Sequence, residues 1–238
     1  MKDKVFEIIR FTPDSKKYYP ASMERMSFMR DEYVKHTEVE IPLGKSRYGG
    51  PVFDLPKDVE PPKDLWFTAQ LDLAEFSPYD KSGLLPKKGQ LIIFSDIMAD
   101  AGKIIYADVA NEDLVRHTVE HDNNFWDGVL VDKVFAEAEA FSERFVEPED
   151  EEDEEYTNED GLMWGYFEGS EKSKIFGIYT NCQLGQEEIE EIMDSGKVVL
   201  LQIGENGFND EGVFSVLIDK NDLENKVFDS CEFVWAQS

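Results

Sequence analysis

The chain has 238 residues, of which 52 are acidic and 24 basic, so its formal charge is −28. Hydrophobic residues (41%) and aromatic residues (13%) supply enough apolar surface for a core, which excludes a wholly disordered chain. A surface this negative repels nucleic-acid phosphates and anionic lipids, so we expect neither nucleic acid nor a membrane as a partner. With Cys182 and Cys231 as its two cysteines and no export leader, the sequence predicts reduced thiols in a cytoplasmic protein.

The first 44 residues predict one strand and one helix. Residues 5–11 are rich in β-branched and aromatic side chains, which is typical of a strand, and residues 13–15 carry a turn signal that ends it. Residues 22–36 predict an amphipathic helix, at whose end His36 is a cation favoured by the helix dipole. The apolar residues at helical spacing are Met26, Met29 and Tyr33.

From residue 46 onward, short apolar runs bounded by Gly, Pro, Asn or Asp predict strands joined by turns. Only residues 186–195 predict a helix, which Gly196 ends. The fold class we expect is therefore α+β, with mainly antiparallel sheet and few helices. The predicted strands cover residues 65–73, 90–95, 103–109, 128–135, 162–167, 175–179, 198–203 and 213–218.

Three short patterns occur twice in the same order, at offsets of 127, 132 and 123 residues. Ordered recurrence at nearly constant offset indicates an internal duplication, so we expect two similar halves in one body. The paired segments are residues 46–50 with 173–177, 67–71 with 199–203, and 89–96 with 212–219.

An acidic run separates the two sets of patterns. Residues 147–155 hold eight carboxylates in nine positions, and such a segment is expected to be mobile because its charges repel one another. The acidic surplus lies mostly in residues 134–238, which hold 28 acidic and 6 basic side chains. The predicted organisation is an extension (1–44), a first half (45–146), an acidic mobile segment (147–160) and a second half (161–238).

Three motifs together carry a family resemblance. They are Ser-Arg-Tyr-Gly-Gly-Pro-Val-Phe-Asp-Leu-Pro at residues 46–56, Phe-Thr-Ala-Gln-Leu-Asp-Leu at 67–73 and Leu-Pro-Lys-Lys-Gly-Gln-Leu at 85–91. Over about residues 45–236 the chain resembles the YwqG-like family of bacterial proteins, a domain of unknown function. The resemblance implies a cytosolic α+β body of two similar halves, no established activity and no catalytic residue. Other members tend to pair glycines where this chain has Phe176 and Gly177.

His117 and His121 are the candidates for a metal site. With Glu120 they fit the H-x-x-E-H pattern of zinc peptidases, in which two histidines one helical turn apart hold the ion. The pattern requires a helix, and no spacing identifies a third ligand. The alternative is two exposed histidines, and on this balance we predict no metal.

Other catalytic and cofactor motifs are missing from the sequence. There is no G-x-S-x-G elbow, no C-x-x-C pair and no phosphate-binding glycine loop, so no cofactor is predicted. The oxygen-rich residues 205–212, with Asp72 or Asp219, could supply ligands for a Ca²⁺ or Mg²⁺ ion. The alternative is an ordinary turn between two strands.

Three glutamines are the candidate binding residues: Gln70, Gln183 and Gln202. Gln70 and Gln202 are polar residues at matching places in two apolar strands, and such amides either line a cleft between the halves or lock the halves together. Aromatic side chains that stack a sugar or peptide, or simply fill the core, are Trp126, Trp164, Tyr166, Phe167 and Trp235.

Two functions follow from these features. The first is a non-enzymatic binding protein whose acidic C-terminal half docks a basic protein, such as a toxin that it neutralises. The second is a divalent-metal-dependent, hydrolase-like enzyme centred on His117, Glu120 and His121 or on the loop around Asp210.

Overall fold

A computed structural model describes residues 4–25, 31–96, 98–119, 127–140, 169–181, 183–204 and 212–237. The strands are β1 (Val5–Tyr19), β2 (Tyr33–Lys35), β3 (Arg47–Tyr48), β4 (Val52–Pro56), β5 (Trp66–Asp72), β6 (Gln90–Asp96), β7 (Ala101–Ala107), β8 (Leu114–Thr118), β9 (Gly128–Ala140), β10 (Lys174–Ile175), β11 (Lys197–Ile203), β12 (Gly212–Asp219) and β13 (Glu232–Gln237). The helices are α1 (Leu73–Phe76), α2 (Gln186–Asp194) and α3 (Lys220–Glu224), with 3-10 turns at His36–Glu38, Ser77–Tyr79 and Asn111–Asp113.

Most of these strands form one sheet in the order β13-β12-β11-β10-β1-β9-β3-β5-β6-β7, and β2 lies beside β1. Strands β4 and β8 form a separate pair. All pairings are antiparallel except that of β1 with β2. The prediction of a mainly antiparallel α+β protein with few helices is therefore confirmed. No helix in the described ranges is both long and apolar enough to cross a lipid bilayer.

The long strands β1 and β9 form the centre of the sheet and carry one arm on each side. The first arm is β3, β5, β6 and β7 on the β9 side, and the second arm is β10, β11, β12 and β13 on the β1 side. Arg47 is opposite Gln70 in the first arm, and Lys174 is opposite Gln202 in the second. The repeated sequence patterns thus lie at matching places in the two arms.

The sheet is so strongly curved that its two end strands, β7 and β13, contact each other. Gly102 of β7 lies against the ring of Phe233 on β13, where a Cβ atom on residue 102 would come within 2.3 Å of the ring. The main core lies inside this curve and draws on both arms, for example on Ile93 and Phe214. Both arms therefore share one apolar interior.

The predicted helix over residues 22–36 is wrong where the structure describes it. Tyr33–Lys35 forms β2, which pairs in parallel with Lys17–Tyr19 of β1, so a long-range pairing replaces the local helical preference. His36 begins a 3-10 turn, and its Nδ1 accepts a hydrogen bond from the Ala21 N–H (3.1 Å), so it is not a helix C-terminal cation. Met26 and Met29 lie outside the described residues.

Two of the predicted strand ends are wrong. β1 continues past Pro13, because the pairing with β9 shifts register there and a bulge tolerates a residue without an N–H. β10 ends at Ile175, because Phe176 and Gly177 adopt left-handed φ values of 66° and 86°. The predicted strand at 162–167 lies outside the described residues.

The helix predicted over residues 186–195 is confirmed as α2, and Gly196 follows it with φ of 93°. Sequence reading did not predict α1 and α3. Each of these short helices is capped by an aspartate at the end of a strand: the Asp72 carboxylate accepts from the Ala74 N–H (3.0 Å), and that of Asp219 accepts from the Asn221 N–H (2.8 Å).

Candidate functional site

The first arm contains a buried polar network centred on Arg47, whose side chain is 0% exposed. Its guanidinium donates to Asp54 Oδ2 (2.7 Å) and to Gln70 Oε1 (2.8 Å). It also donates to the carbonyls of Val52 (3.0 Å) and Lys45 (2.9 Å). Because these acceptors come from β4, β5 and the chain before β3, Arg47 ties the three segments together.

Asp54 is held by a second arginine, Arg116 on β8, which donates to both carboxylate oxygens at 2.7 and 3.2 Å. The Gly44 N–H donates to the same carboxylate at 2.9 Å. Burial acts to raise the pKa of Asp54, but the hydrogen bonds from Arg116 and the charge of Arg47 outweigh it, so that pKa is lowered. Asp54 is therefore a stable carboxylate anion between two guanidinium groups.

Gln70 extends this network along the sheet. Its Nε2 donates to Gln90 Oε1 (3.1 Å), and Gln90 Nε2 donates to Asn111 Oδ1 (2.8 Å). Asn111 Nδ2 then donates to Asp72 Oδ2 (2.9 Å). Gln70 and Gln90 are fully buried, and a satisfied chain of this kind fixes the order and register of its strands.

The second arm contains a smaller buried ion pair. Lys174 Nζ donates to Glu139 Oε1 (2.5 Å) and to the Ile178 carbonyl (2.7 Å), and the Ile178 N–H donates to Glu139 Oε1 (2.5 Å). The Lys174 side chain is 0% exposed and that of Glu139 is 1% exposed. Both side chains are enclosed and cannot contact a dissolved substrate in this conformation. Because Glu139 belongs to β9 and Ile178 follows β10, these hydrogen bonds hold the turn after β10 onto β9.

The three predicted binding glutamines are not brought together. Gln70 and Gln202 are buried in different arms, and Gln183 is exposed and donates to the Gln237 carbonyl (3.3 Å). Gln202 Nε2 donates to the carbonyls of Gly169 (3.0 Å) and Lys172 (2.7 Å), while its Oε1 has no partner among the described residues. Their binding role stays a prediction.

A cavity of about 310 Å³ lies where the two arms meet the beginning of β1. It is bordered by β1, by the loop after the 3-10 turn at Ser77–Tyr79, by the turn at Phe176 and Gly177, and by α2 and β11. Its apolar walls come mainly from Phe6, Leu84, Phe176, Met193 and Val198. None of the three predicted glutamines lines it. The one signal for it in the sequence was the Phe-Gly pair that ends β10 early.

His117, one of the two metal candidates, lies on strand β8 and not on the helix that the zinc pattern requires. Its imidazole is stacked on the Phe53 ring, with centroids 5.3 Å apart and planes at 2°. Glu120 and His121 lie outside the described residues. Within the described ranges, no three His, Cys, Asp or Glu side chains are grouped so that they could hold a metal ion.

Of the cysteine and aromatic candidates, Cys231 and Trp235 lie within the described residues. Cys231 is a half-buried free thiol, and burial, with the nearby Asp222 and Asp229, raises its pKa to about 12, as expected of an unreactive cysteine. Trp235 is packed against the main core. The candidates outside the described residues are Cys182, Trp126, Trp164, Tyr166, Phe167 and residues 205–211.

Comparison with known proteins places this architecture in a family. A search of the curated proteins gives no match. The family model for a domain of unknown function, DUF1963, matches residues 46–236, which run from the start of the first arm to the last strand of the second. Since the match covers well over half of the chain, this protein belongs to the DUF1963 family.

Proposed function

We propose that this protein is a non-enzymatic binding protein whose acidic second half recognises a basic protein partner. The proposal includes a cytoplasmic location, the YwqG-like group of bacterial proteins as its closer kin, and neutralisation of a cationic toxin as its physiological role. It further includes an origin by internal duplication, with halves at residues 45–146 and 161–238.

The observation that carries the proposal is the outer face of α2. Its exposed side chains include Glu187, Glu188, Glu191 and Asp194, and the helix contains no basic residue. Of these four, Asp194 pairs with Lys4 at 3.3 Å on the surface, where solvent screens the interaction strongly. Four carboxylates on two and a half turns give a compact negative surface to which arginine and lysine side chains are attracted.

The buried charged groups support binding over catalysis. Among the described residues, four charged side chains are fully buried, and each forms an ion pair: Arg47, Asp54, Glu139 and Lys174. A general acid or base has to reach the substrate, and these four side chains are enclosed. The charge that a partner meets is therefore the surface charge, most of which is negative.

The duplication is supported by detail in the pairing. The β5–β6 register shifts between Phe67 and Ala69, and the β11–β12 register shifts between Val199 and Leu201. These two bulges are separated by the offset of 132 residues that relates the strands in sequence. Bulges are features that related chains keep, so a shared origin explains their recurrence.

A matched pair of variants tests the proposed function. The triple variant Glu187→Gln, Glu188→Gln and Glu191→Gln removes three charges from α2 and keeps hydrogen-bonding side chains. The control, Asp58→Asn, Glu60→Gln and Asp64→Asn, removes three exposed charges from the loop between β4 and β5.

Immobilised protein is exposed to a bacterial lysate at ~0.05 M salt and washed at ~0.5 M, where screening is several-fold shorter in range. We expect basic proteins to be retained by the wild type and by the control at low salt, released at high salt, and lost from the α2 variant. Equal retention by both variants would contradict the proposal.

A further inference from the structure

The cavity lies in a gap within the main sheet. β10 is two residues long and lies between β1, which has 15 residues, and β11, which has seven. Neighbouring strands in a sheet are about 4.8 Å apart. Where β10 stops at Ile175, the chain leaves the sheet at Phe176, and the space between β1 and β11 has the width of one strand.

The backbone on both sides of this gap is oriented toward it. The Phe11 N–H donates to the Ser173 carbonyl (3.1 Å), so the odd-numbered residues from 5 to 11, before the bulge of β1, direct their backbone groups to the β10 side. By the same alternation, Val5 and Glu7 direct theirs into the gap. β10 pairs with β1 only at Ile9 and Arg10, so no described strand pairs with this side of Val5 and Glu7.

The opposite side of the gap is formed by β11. The Phe176 N–H donates to the Val199 carbonyl (2.6 Å), so the carbonyl of Lys197, two residues earlier, also faces the β10 side. Lys197 and Val198 line the cavity together with Val5 and Glu7. The gap therefore offers backbone donors and acceptors on both sides, as an extended peptide requires.

The side chains around the gap suit apolar residues at its centre and basic residues at its edge. Two ion pairs at the rim, Lys81 with Glu7 (2.7 Å) and Lys197 with Glu232 (2.6 Å), leave it electrically balanced. Met193 of α2 lines the cavity, and the next residue, Asp194, pairs with Lys4, which directly precedes Val5 at the cavity wall. A segment seated in the gap thus has its flanking residues next to carboxylates.

Phe176 gives a separate reason to expect an occupant. Its φ of 66° lies in the left-handed region, where the matching residue of the first arm is Gly49 at 62°. A bulky residue is disfavoured there and glycine is not, and such strain is concentrated at functional positions. Phe176 is 8% exposed and forms one wall of the cavity.

We propose that the gap between β1 and β11 is a docking slot for an extended segment of the partner protein, which adds to the sheet as a strand. Its apolar side chains occupy the cavity, and its flanking lysines or arginines lie against α2. The basic character of this segment rests on the proposed function. The strand pairing rests on the geometry of β1, β10 and β11 alone.

The probe is a fluorescent octapeptide of four alternating valines and leucines with two lysines at each end, measured by anisotropy with the full-length protein. Its partner probe has the same side chains but N-methyl groups on alternate apolar residues, which remove the donors that pair with a neighbouring strand. We expect the N-methylated peptide to bind about tenfold more weakly, since it forfeits at least one good hydrogen bond.

Glu7→Pro tests the slot from the protein side. Proline at residue 7 removes an N–H that faces the gap and that the pairing with β9 does not use, so the sheet is retained. Glu7→Ala is the control, because it loses the same carboxylate and keeps the N–H. Because both variants lose the ion pair with Lys81, the comparison is between them: we expect Glu7→Pro to bind the unmodified peptide about tenfold more weakly than Glu7→Ala does, with both variants melting near the wild type.

Three results overturn the slot. Equal binding of the two peptides identifies an apolar ligand cavity in place of a strand site, and equal binding to Glu7→Pro and Glu7→Ala removes β1 from the interaction. No binding of either peptide also ends the proposal. Salt-sensitive capture of basic proteins through α2 would survive all three results, so failure of the slot is distinguishable from failure of the proposed function.

Discussion

Arg47 and Lys174 are matching residues of the two arms, both fully buried, yet each is neutralised by a carboxylate from a different place. Arg47 pairs with Asp54 of β4, seven residues further along the chain, and Lys174 pairs with Glu139 of the central strand β9. Both arms thus place a buried cation on the strand that joins the arm to the central strands β1 and β9. The carboxylate that neutralises it comes from a different strand in each arm. Each junction therefore depends on a buried ion pair.

The second junction gives the first prediction. Lys174→Met leaves Glu139 buried without its cation, and we expect a loss of about 3–5 kcal/mol in the free energy of unfolding. Lys174→Met combined with Glu139→Gln removes both charges and keeps an amide oxygen for the Ile178 N–H, so we expect it to recover more than half of that loss. Urea unfolding of both proteins measures the difference, and a double variant no more stable than the single one would contradict it.

Two serines supply a second prediction. Ser46 Oγ accepts from the Asp72 N–H (2.9 Å), and Ser173 Oγ accepts from the Gly204 N–H (3.1 Å), at matching places in the two arms. Each alanine substitution leaves one backbone donor without its partner, which costs about 1–2 kcal/mol. We expect Ser46→Ala and Ser173→Ala to lower the free energy of unfolding by similar amounts. A loss confined to one of them would show that the two hydroxyls are not equivalent.

The sequence predicted those parts of the fold that depend on local patterns. Apolar runs bounded by turn residues located β5, β6, β11 and β12, and the spacing of apolar residues located α2. Repeated patterns also indicated which strands match between the arms. These signals lie within about ten consecutive residues, where side-chain periodicity decides which face is buried.

The parts that it missed depend on contacts between distant residues. Asp54 meets Arg116 across 62 positions, and β2 exists because Tyr33–Lys35 pairs with β1. A polar residue inside an apolar strand points to Gln70 but not to its partner Arg47, because a buried arginine in a strand of two residues has no periodic signature. The gap beside β10 depends on the left-handed backbone of Phe176 and Gly177. Of these two residues, only Gly177 is of a type that indicates such a backbone in the sequence.

Closure of the curved sheet is a third subject for mutation. Gly102 lies against Phe233, so Gly102→Ala places a methyl group where the ring is and forces β7 away from β13. Overpacking of this kind costs about 1–3 kcal/mol. We expect Phe233→Leu to lower the free energy of unfolding of the wild type, and to lower that of the Gly102→Ala variant by a smaller amount. Urea unfolding of the two single variants and the double variant measures the coupling, and strictly additive losses would show that the two strands do not press on each other here.

Acid sensitivity is the fourth prediction and follows from Asp54. Its pKa is lower in the folded state than the value of about 3.9 expected when unfolded. The unfolded state therefore binds more protons between these two values, and the free energy of unfolding rises with pH there. The stabilisation is complete above about pH 4 and is lost as the pH falls through the folded-state pKa.

Asp54→Asn removes this carboxylate, and Asp58→Asn, at an exposed position, is the control. We expect the Asp54 variant to be less stable at neutral pH and to lose less stability than the control between about pH 5 and pH 2. Urea unfolding across this range compares them. Parallel pH profiles for the two variants would show that Asp54 is not the group responsible.

Phe176 offers a test in which two effects of substitution have opposite signs. Phe176→Ala and Phe176→Gly both remove the buried ring, which costs about 3–5 kcal/mol, but only glycine also relieves the left-handed backbone at φ of 66°. Elsewhere in strands and helices glycine is less stable than alanine by about 0.5–1 kcal/mol, because its unfolded chain has more freedom. At residue 176 we expect the order to reverse, with Phe176→Gly more stable than Phe176→Ala by about 1 kcal/mol. Thermal and urea unfolding give the order directly, and an alanine variant at least as stable as the glycine variant would mean that the turn after β10 relaxes when the ring is lost.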